Sequence, residues 1–281
     1  MSQARAPAAG PKRRNSAEAA TSETQGEAAE ARKGSQTMMR GLDLIEAVAN
    51  GMAGYVELSE KLGLTKSTAH RLASGLVERG YLATTPRHGY RLGPKLLELG
   101  FVAQSQTDLV QIARPHLERL SMATEDTVRL GVLQNEHVVY IDVVPGSRRI
   151  TIANRPGDAQ PLTSTSAGKA LMLDDPESSW QSRLAADVAA GRPRADPLLW
   201  QERMRAYAEA GCTYGLAENE DDVRGVAAPV RNASGEIVAA VSVSSVTHYM
   251  SEDRMARLAV SVRATAEAIS RELGNTLPVQ R

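Results

Sequence analysis

Apolar residues recur at the spacing of an amphipathic helix from residue 39 onward, at Met39, Leu42, Ile45 and Val48. This pattern predicts a first helix that ends near residues 50–51. Leu58 and Leu62 predict a second helix, and Gly63 just beyond it can adopt the left-handed turn that often ends a helix. The patterned part of the chain therefore begins with two short helices.

A third helix is predicted over LTKSTAHRLASGL, residues 64–76. Thr65 is placed to cap it, because its hydroxyl can accept from the backbone N–H of Ser67 or Thr68. One face carries the residues that we expect to be buried, namely Ala69, Leu72 and Leu76. The opposite face then carries cations and hydroxyls: Lys66, Ser67, His70, Arg71 and Ser74.

Two short β-prone runs in YLATTPRHGYRLG, residues 81–93, predict a hairpin whose tip carries Arg87 and His88. Three helices followed by a hairpin are typical of a winged helix-turn-helix. Residues 94–106, PKLLELGFVAQSQ, predict a connecting helix.

The remainder of the chain alternates between helical and extended patterns. Helices are predicted at about 108–123, 166–172, 176–189, 198–211 and 251–273. Strands are predicted at about 127–134, 137–144, 148–153, 224–231 and 236–244, with a turn at 232–235 between the last two. An antiparallel sheet with helices on its faces gives an α+β class for the second domain.

The length of 281 residues and the hydrophobic content of 42% allow two domains with their own cores. Residues 1–36 contain no Leu, Ile, Val or aromatic residue, which predicts a disordered tail. Its PKRR run at 11–14 is either a solvated charge cluster or a contact to DNA phosphates. The expected order is this tail, a winged helix-turn-helix domain (37–93), a linker helix (94–106), a second domain (107–275) and a short tail (276–281).

The net charge is zero, but its distribution along the chain is uneven. Residues 1–36 carry 6 Lys/Arg and 4 Asp/Glu, residues 37–100 carry 8 and 6, and residues 101–281 carry 19 and 23. A mildly basic front and an acidic remainder are compatible with a local DNA-binding module. The sequence shows no membrane-spanning apolar run and no secretory leader, so we expect a cytoplasmic protein without membrane contact. Cys212 is the sole cysteine, which excludes an intrachain disulfide.

The polar face of the third helix is the first candidate site. Its donors match phosphate oxygens and base edges of double-stranded DNA, and the residues concerned are Lys66, Ser67, Thr68, His70 and Arg71. Arg87 and His88 would add a contact from the hairpin tip. The alternative interpretation is a solvated polar helix face.

Enzymatic and metal-binding motifs are incomplete in this chain. TSTSAGKALM at 163–172 fails the phosphate-loop pattern because Thr163 replaces its first glycine and Ala170 its metal-binding hydroxyl. Ser164 likewise replaces the first glycine of a nucleophile elbow around Ser166. The five histidines show no metal-ligand spacing. We therefore expect no catalytic activity, no metal and no cofactor.

The chain resembles the IclR family of bacterial transcription regulators over roughly residues 37–274. In the first domain the resemblance rests on LSEKLGLTKSTAHRLASGLVERGYL (58–82) and GYRLGPKLLELG (89–100). In the second it rests on QPLTSTSAGKALML (160–173) and VRGVAAPVRNASGEIVAAVSVSS (223–245). Two positions depart from the family pattern: Thr163 stands where His is common, and Val56 where a Ser or Thr helix cap is usual.

The resemblance implies a winged helix joined to a GAF-like effector domain, assembled as a homodimer or a dimer of dimers. It also implies that an effector cavity is lined by Ser166, Ala167, Gly225, Ser242 and Ser244. From the residues alone, Ser242 and Ser244 alternate along one strand and face the same side, as either core serines or pocket hydroxyls. Gly168 would add a backbone donor beside Ser166 and Ala167.

Arg129 is the candidate for holding a carboxylate, since a guanidinium offers a fork of donors. An arginine in a strand more often lies at a solvent edge, and that interpretation stays open here. The function that we expect is a ligand-responsive transcriptional regulator that binds a pseudo-palindromic operator and answers to a small organic acid. The alternative is a metabolite-binding or enzymatic domain for which the helix-turn-helix is only a scaffold.

Overall fold

The computed structural model describes residues 35–85, 89–152, 155–191, 196–218 and 222–276. The chain divides into two compact units between Gln106 and Thr107. The expected tails lie outside the described residues, apart from residues 35–36, which are helical, and residue 276. The hairpin tip with Arg87 and His88 also lies outside them.

The first unit has the predicted order of three helices and a hairpin. Its elements are α1 (35–49), α2 (Tyr55–Lys61), α3 (Lys66–Glu78), β1 (Leu82–Thr85), β2 (Gly89–Leu92) and α4 (Pro94–Ser105). Strands β1 and β2 pair antiparallel, with Leu82 opposite Leu92. Gly63 has a φ of 60°, as expected for a glycine that ends α2.

The core of the first unit is small, and it corrects two expectations. Ala69 and Ala73 are the buried residues of α3, whereas Leu72 and Leu76 are only partly buried. Ala73 was missed because a small side chain contributes little to the apolar pattern that predicts a buried helix face. Val56 is not at a cap position: α2 begins at Tyr55, and Gly54 is its N-cap without a side-chain hydrogen bond.

The second unit is an antiparallel six-stranded sheet with helices on both faces, which confirms the predicted α+β class. Its helices are α5 (Leu109–Thr124), α6 (Ser166–Leu171), α7 (Glu177–Ala189), α8 (Pro197–Ala210) and α9 (Glu252–Glu272). Its strands are β3 (Thr127–Gln134), β4 (His137–Val144), β5 (Ala159–Pro161), β6 (Thr213–Leu216), β7 (Val223–Arg231) and β8 (Ile237–Val246). Their order across the sheet is β5-β4-β3-β8-β7-β6.

The predicted strand at 148–153 is wrong, since residues 148–152 are not extended into the sheet. Arg148 instead turns back toward Asp126, with 2.6 Å between Nε and Oδ1, and Gly146 packs against the Glu125 carbonyl. The edge strands β5 and β6 were missed because each is too short to show an alternating pattern.

Each face of the sheet has its own core. One face packs Val128, Leu130 and Val241 against α5 and α9. The other packs Tyr140, Ala227 and Ala240 against α6, α7 and α8. Within the described ranges, no helix combines the length and the apolar character that crossing a bilayer requires.

Candidate functional site

The first candidate surface is the polar face of α3. Thr65 caps the helix through a hydrogen bond from the Thr68 N–H to its hydroxyl oxygen at 3.3 Å, as predicted. Four of the predicted residues are exposed and Thr68 is partly exposed; the exposed ones are Lys66, Ser67, His70 and Arg71. In the part of the chain that the structure describes, neither Lys66 nor Arg71 forms an ion pair. Both cations are therefore available to an external anion.

Two hydroxyls of this surface already have partners. The Thr68 and Ser67 hydroxyl oxygens lie 2.9 Å and 3.2 Å from Thr65 Oγ1, so they reinforce the cap. His70 Nδ1 lies 3.4 Å from the Ser74 hydroxyl, one turn further along α3. The first turn of α3 thus has a defined shape, with the exposed Lys66 at its start and the exposed Arg71 in the next turn.

The second candidate surface is the face of the sheet covered by α6. Strand register places Arg129 opposite Ser242, and Ser242 opposite Ala227. One step along the same face, Thr127 lies opposite Ser244, and Ser244 opposite Gly225. Directly opposed residues of antiparallel strands point to the same side. The structure therefore brings Arg129, Gly225, Ser242 and Ser244 together.

Arg129 is 5% exposed and lies on β3, in the interior of the sheet. The interpretation of Arg129 as a solvent-edge residue is therefore wrong. Its guanidinium carbon lies 4.6 Å from the centre of the Tyr140 ring, which is the arrangement of a cation–π contact.

A register shift between Leu130 and Gly131 places Tyr140 on the same face as Arg129. Gly131 also leaves room for the neighbouring Val138, since a β-carbon there would lie 2.5 Å from the valine Cγ2. Sequence reasoning missed Tyr140 because a bulge gives no periodic signal.

Gly225 allows two hydroxyls from different elements to converge. A β-carbon on Gly225 would lie 2.6 Å from Ser244 Oγ and 2.9 Å from Ser166 Oγ, so any larger residue would displace them. Ser166 is held in place because its carbonyl accepts a hydrogen bond of 2.7 Å from the Thr213 hydroxyl. Gly225 on β7 therefore determines how closely α6 packs against the sheet.

Ala167 and Gly168 contribute to packing. Ala167 is fully buried in the core beneath α6. The Gly168 N–H donates to Thr165 Oγ1 at 3.0 Å, so its predicted role as a backbone donor to a ligand is wrong. A β-carbon on Gly168 would lie 2.3 Å from the Leu162 carbonyl oxygen, which explains the glycine.

Ser242 carries a buried hydroxyl without a hydrogen-bond partner among the described residues, and so does Ser164. Buried polar groups are nearly always paired, because an unmade hydrogen bond costs about 1–3 kcal/mol. The Ser242 hydroxyl, opposite Arg129, is therefore open to a partner other than the described protein groups, which a bound water or a ligand would supply.

The family departure at Thr163 has a structural explanation. Thr163 is fully buried and its hydroxyl donates to Asp187 Oδ2 of α7 at 2.5 Å. Its carbonyl accepts from the Trp200 indole at 2.8 Å. The residue ties the segment before α6 to α7 and α8.

A buried ion pair between Lys169 of α6 and Glu218 was also missed by sequence reasoning. Lys169 Nζ donates to the Glu218 carboxylate and to the Tyr214 carbonyl, the latter at 3.1 Å. The two side chains are 1% and 5% exposed. Burial lowers the pKa of Lys169, and the Glu218 carboxylate opposes this shift.

Comparison with known proteins identifies both units. Residues 37–86 match the IclR helix-turn-helix domain, and residues 101–271 match the family described as bacterial transcriptional regulator IclR C-terminal. The chain is 34% identical over 254 residues to the DNA-binding transcriptional repressor YiaJ of Escherichia coli, covering 87% of this chain and 90% of YiaJ. It is 32% identical over 242 residues to the regulator XynR of the same organism, covering 83% and 94%.

Solved structures show the same fold. The repressor BlcR of Agobacterium tumefaciens aligns with a TM-score of 0.72 at 24% identity, covering 86% of this chain and 98% of BlcR.

Proposed function

The chain belongs to the IclR family of bacterial transcriptional regulators, and we propose that it binds a pseudo-palindromic operator under the control of a small carboxylate effector. It is a transcriptional regulator and not an enzyme.

Operator recognition is assigned to the first two turns of α3. The observation that carries this assignment is the exposed pair of cations, Lys66 and Arg71, on a capped helix start. The N-terminal residues of a recognition helix contact base edges and phosphates in the major groove. Two copies of α3 in a dimer require half-sites about one helical turn apart, or a multiple of that spacing.

The salt dependence of operator binding tests this assignment. Lys66→Ala and Arg71→Ala should each weaken binding and reduce the slope of log affinity against log salt by roughly one unit per lost phosphate contact. Arg79→Ala is the matched control, because Arg79 is exposed at the other end of α3, about 20 Å from Lys66 and about 12 Å from Arg71 along the helix axis. Unchanged slopes in both test variants would contradict the role of α3.

A homodimer, or a dimer of dimers, is proposed from the surface of α4. This helix has no buried residue among its 12, although it carries several large apolar side chains. Leu97 is 78% exposed and Phe101 is 74% exposed. An apolar face of this kind is typical of a helix that packs against its counterpart in a second chain.

The effector is assigned to the sheet face below α6. Arg129 would supply the charged donors for a carboxylate, and the hydroxyls of Ser166, Ser242 and Ser244 would orient the rest of the molecule. The supporting observation is the buried Ser242 hydroxyl, which has no partner among the described residues. Small residues and a few hydroxyls suit a small polar metabolite.

The effector must bind one arrangement of the two recognition helices more tightly than the other. A ligand with equal affinity for both arrangements cannot change operator occupancy. A binding measurement alone therefore does not establish the regulatory role; the same ligand must shift operator affinity.

Ser244→Leu tests the location of the site. The larger side chain would crowd Gly225 and displace the Ser166 hydroxyl that approaches the same point, so effector binding and response should be lost while operator binding without ligand is kept. Ser245→Leu is the control, since Ser245 is also buried on β8 but points to the opposite face. Calorimetry with a panel of keto, hydroxy and aromatic acids identifies the ligand. Normal effector binding by Ser244→Leu would place the site elsewhere.

A further inference from the structure

Residues 53–55 lead from the loop after α1 into the first residue of α2, and they contact both the hairpin and α3. Ala53 touches the hairpin strand β2, and Tyr55 touches the start of α3. We call residues 53–55 the bridging segment. Its two ends lie only two residues apart, so they cannot move independently.

Tyr55 holds the first turn of α3 by a direct hydrogen bond. Its hydroxyl donates to the backbone carbonyl of Lys66 at 2.7 Å, across 11 positions of sequence. The Tyr55 ring also meets His70 edge-on, with 6.2 Å between the ring centres. Tyr55 therefore contacts the residue that begins α3 and a residue one turn further along it.

The other end of the bridging segment fixes the hairpin. The Tyr90 N–H donates to the Ala53 carbonyl at 2.9 Å. A β-carbon on Gly89 would lie 1.9 Å from that same carbonyl oxygen, and Gly89 has a φ of 81°, so only glycine permits this approach. Burial, and secondarily the nearby Tyr55 phenol, raise the pKa of Tyr90. The hairpin and α3 are thus attached to one short segment.

We propose that Tyr55 is a positioning residue, which fixes the first turn of α3 relative to the hairpin and thereby sets discrimination between operator and other DNA. This inference rests on the proposed DNA-binding function and extends it to a residue outside the recognition helix. Base-edge contacts depend on the exact placement of the helix start, whereas phosphate contacts by long cations tolerate small displacements. Loss of the Tyr55 hydroxyl should therefore weaken specific binding more than non-specific binding.

Tyr55→Phe removes the hydroxyl and keeps the ring against His70. The full-length parent protein first selects an operator from a pool of random duplexes. Affinities of parent and variant are then measured for that operator and for an unrelated duplex of equal length at the same salt concentration. We expect the operator affinity to fall about three- to tenfold, the value of one hydrogen bond, with non-specific affinity unchanged.

Tyr81→Phe is the matched control, because Tyr81 is in the same unit and its hydroxyl has no hydrogen-bond partner within the described ranges. A second measurement reports on the hydrogen bond itself. Lys66–Ser67 is the only Lys-Ser pair in the sequence, so ¹³C-carbonyl lysine with ¹⁵N serine gives a single resonance pair for the Lys66 carbonyl. That carbonyl resonance should shift in Tyr55→Phe and stay in place in Tyr81→Phe.

The possible results distinguish a failure of the Tyr55 role from a failure of the DNA-binding function. An unchanged ratio of specific to non-specific affinity would overturn the role of Tyr55, and so would an unmoved Lys66 carbonyl. An equal loss on both duplexes would also overturn it, since the hydroxyl would then contact the DNA backbone directly. A parent protein that enriches no duplex would instead contradict the DNA-binding function.

Discussion

Replacing Lys169 by methionine should destabilise the second unit by about 3–5 kcal/mol, because it leaves the Glu218 carboxylate buried without its partner. Lys169 is 1% exposed, so water cannot replace the lost ammonium without opening the structure. The substitution also removes the hydrogen bond to the Tyr214 carbonyl, which links α6 to β6. Both losses act on the same contact between helix and sheet.

The double variant Lys169→Met/Glu218→Leu separates the cost of the unpaired charge from the value of the pair. Replacing a buried ion pair by apolar residues of similar volume is often neutral or stabilising by about 1–4 kcal/mol. We therefore expect the double variant to be more stable than Lys169→Met. The single variant Glu218→Leu completes the cycle, and the double variant should then lose less stability than the two single variants together, a coupling that independent positions would not show.

Tryptophan fluorescence during urea unfolding measures this effect without interference from the first unit. The chain has two tryptophans, Trp180 and Trp200, and both are buried in the second unit. The control is Arg205→Met, which breaks the exposed ion pair with Glu177 and should shift the midpoint little. A double variant as unstable as the sum of the two single variants would refute the reasoning.

The pH dependence of Glu218→Gln provides a separate check. Without the carboxylate, only influences that lower the pKa of Lys169 remain, chiefly burial. The unfolded chain then binds more protons than the folded one between the lowered pKa and the usual value of 10.5, so stability should rise with pH in that window. A loss of stability that does not change with pH would contradict this.

Three further predictions concern other parts of the chain. Phe101→Glu in α4 should convert a dimer into a monomer in sedimentation at micromolar concentration, whereas a stable monomer of the parent would refute the α4 interface. Burial raises the pKa of Cys212 to about 12, so the free energy of unfolding should fall as the pH rises from about 9 toward 12. The fall should be larger in the parent than in Cys212→Ala, which has no thiol at this position. Gly168→Ala should lower the thermal midpoint of the second unit by overpacking against Leu162, and an unchanged midpoint would show that α6 can move away.

The winged helix and most elements of the second unit could be predicted from sequence because their patterns are local. The alternation in β3 and β4 and the helical spacing in α3 gave element bounds close to those observed. The Thr65 cap was predictable for the same reason, since donor and acceptor lie three residues apart. Segments of three or four residues, such as β5 and β6, contain too little pattern to be recognised.

The chemistry of the second unit was less predictable, because it depends on contacts between distant residues. The sequence near Arg129 does not predict the β-bulge that brings Tyr140 into contact with its guanidinium. Likewise, Lys169 and Glu218 are 49 residues apart, and only the fold makes them partners. The alternation of Ser242 and Ser244 correctly predicted that both lie on one face of the sheet. It did not predict that the Ser242 hydroxyl has no hydrogen-bond partner among the described residues.

Helix α6 connects the proposed effector site to the stability of the second unit. Ser166 at its start meets Ser244 over Gly225, while Lys169, one turn later, fixes the same helix to β6. An effector that engages Ser166 must therefore bind against a helix whose position is set by the buried ion pair. A variant that breaks this pair displaces α6, so it should lower effector affinity while operator affinity without ligand is retained, since α3 belongs to the other unit. Calorimetry and operator titration of Lys169→Met, compared at a temperature where the second unit stays folded, measure the two effects separately. Equal loss of both would show that the substitution acts by general unfolding and not through α6.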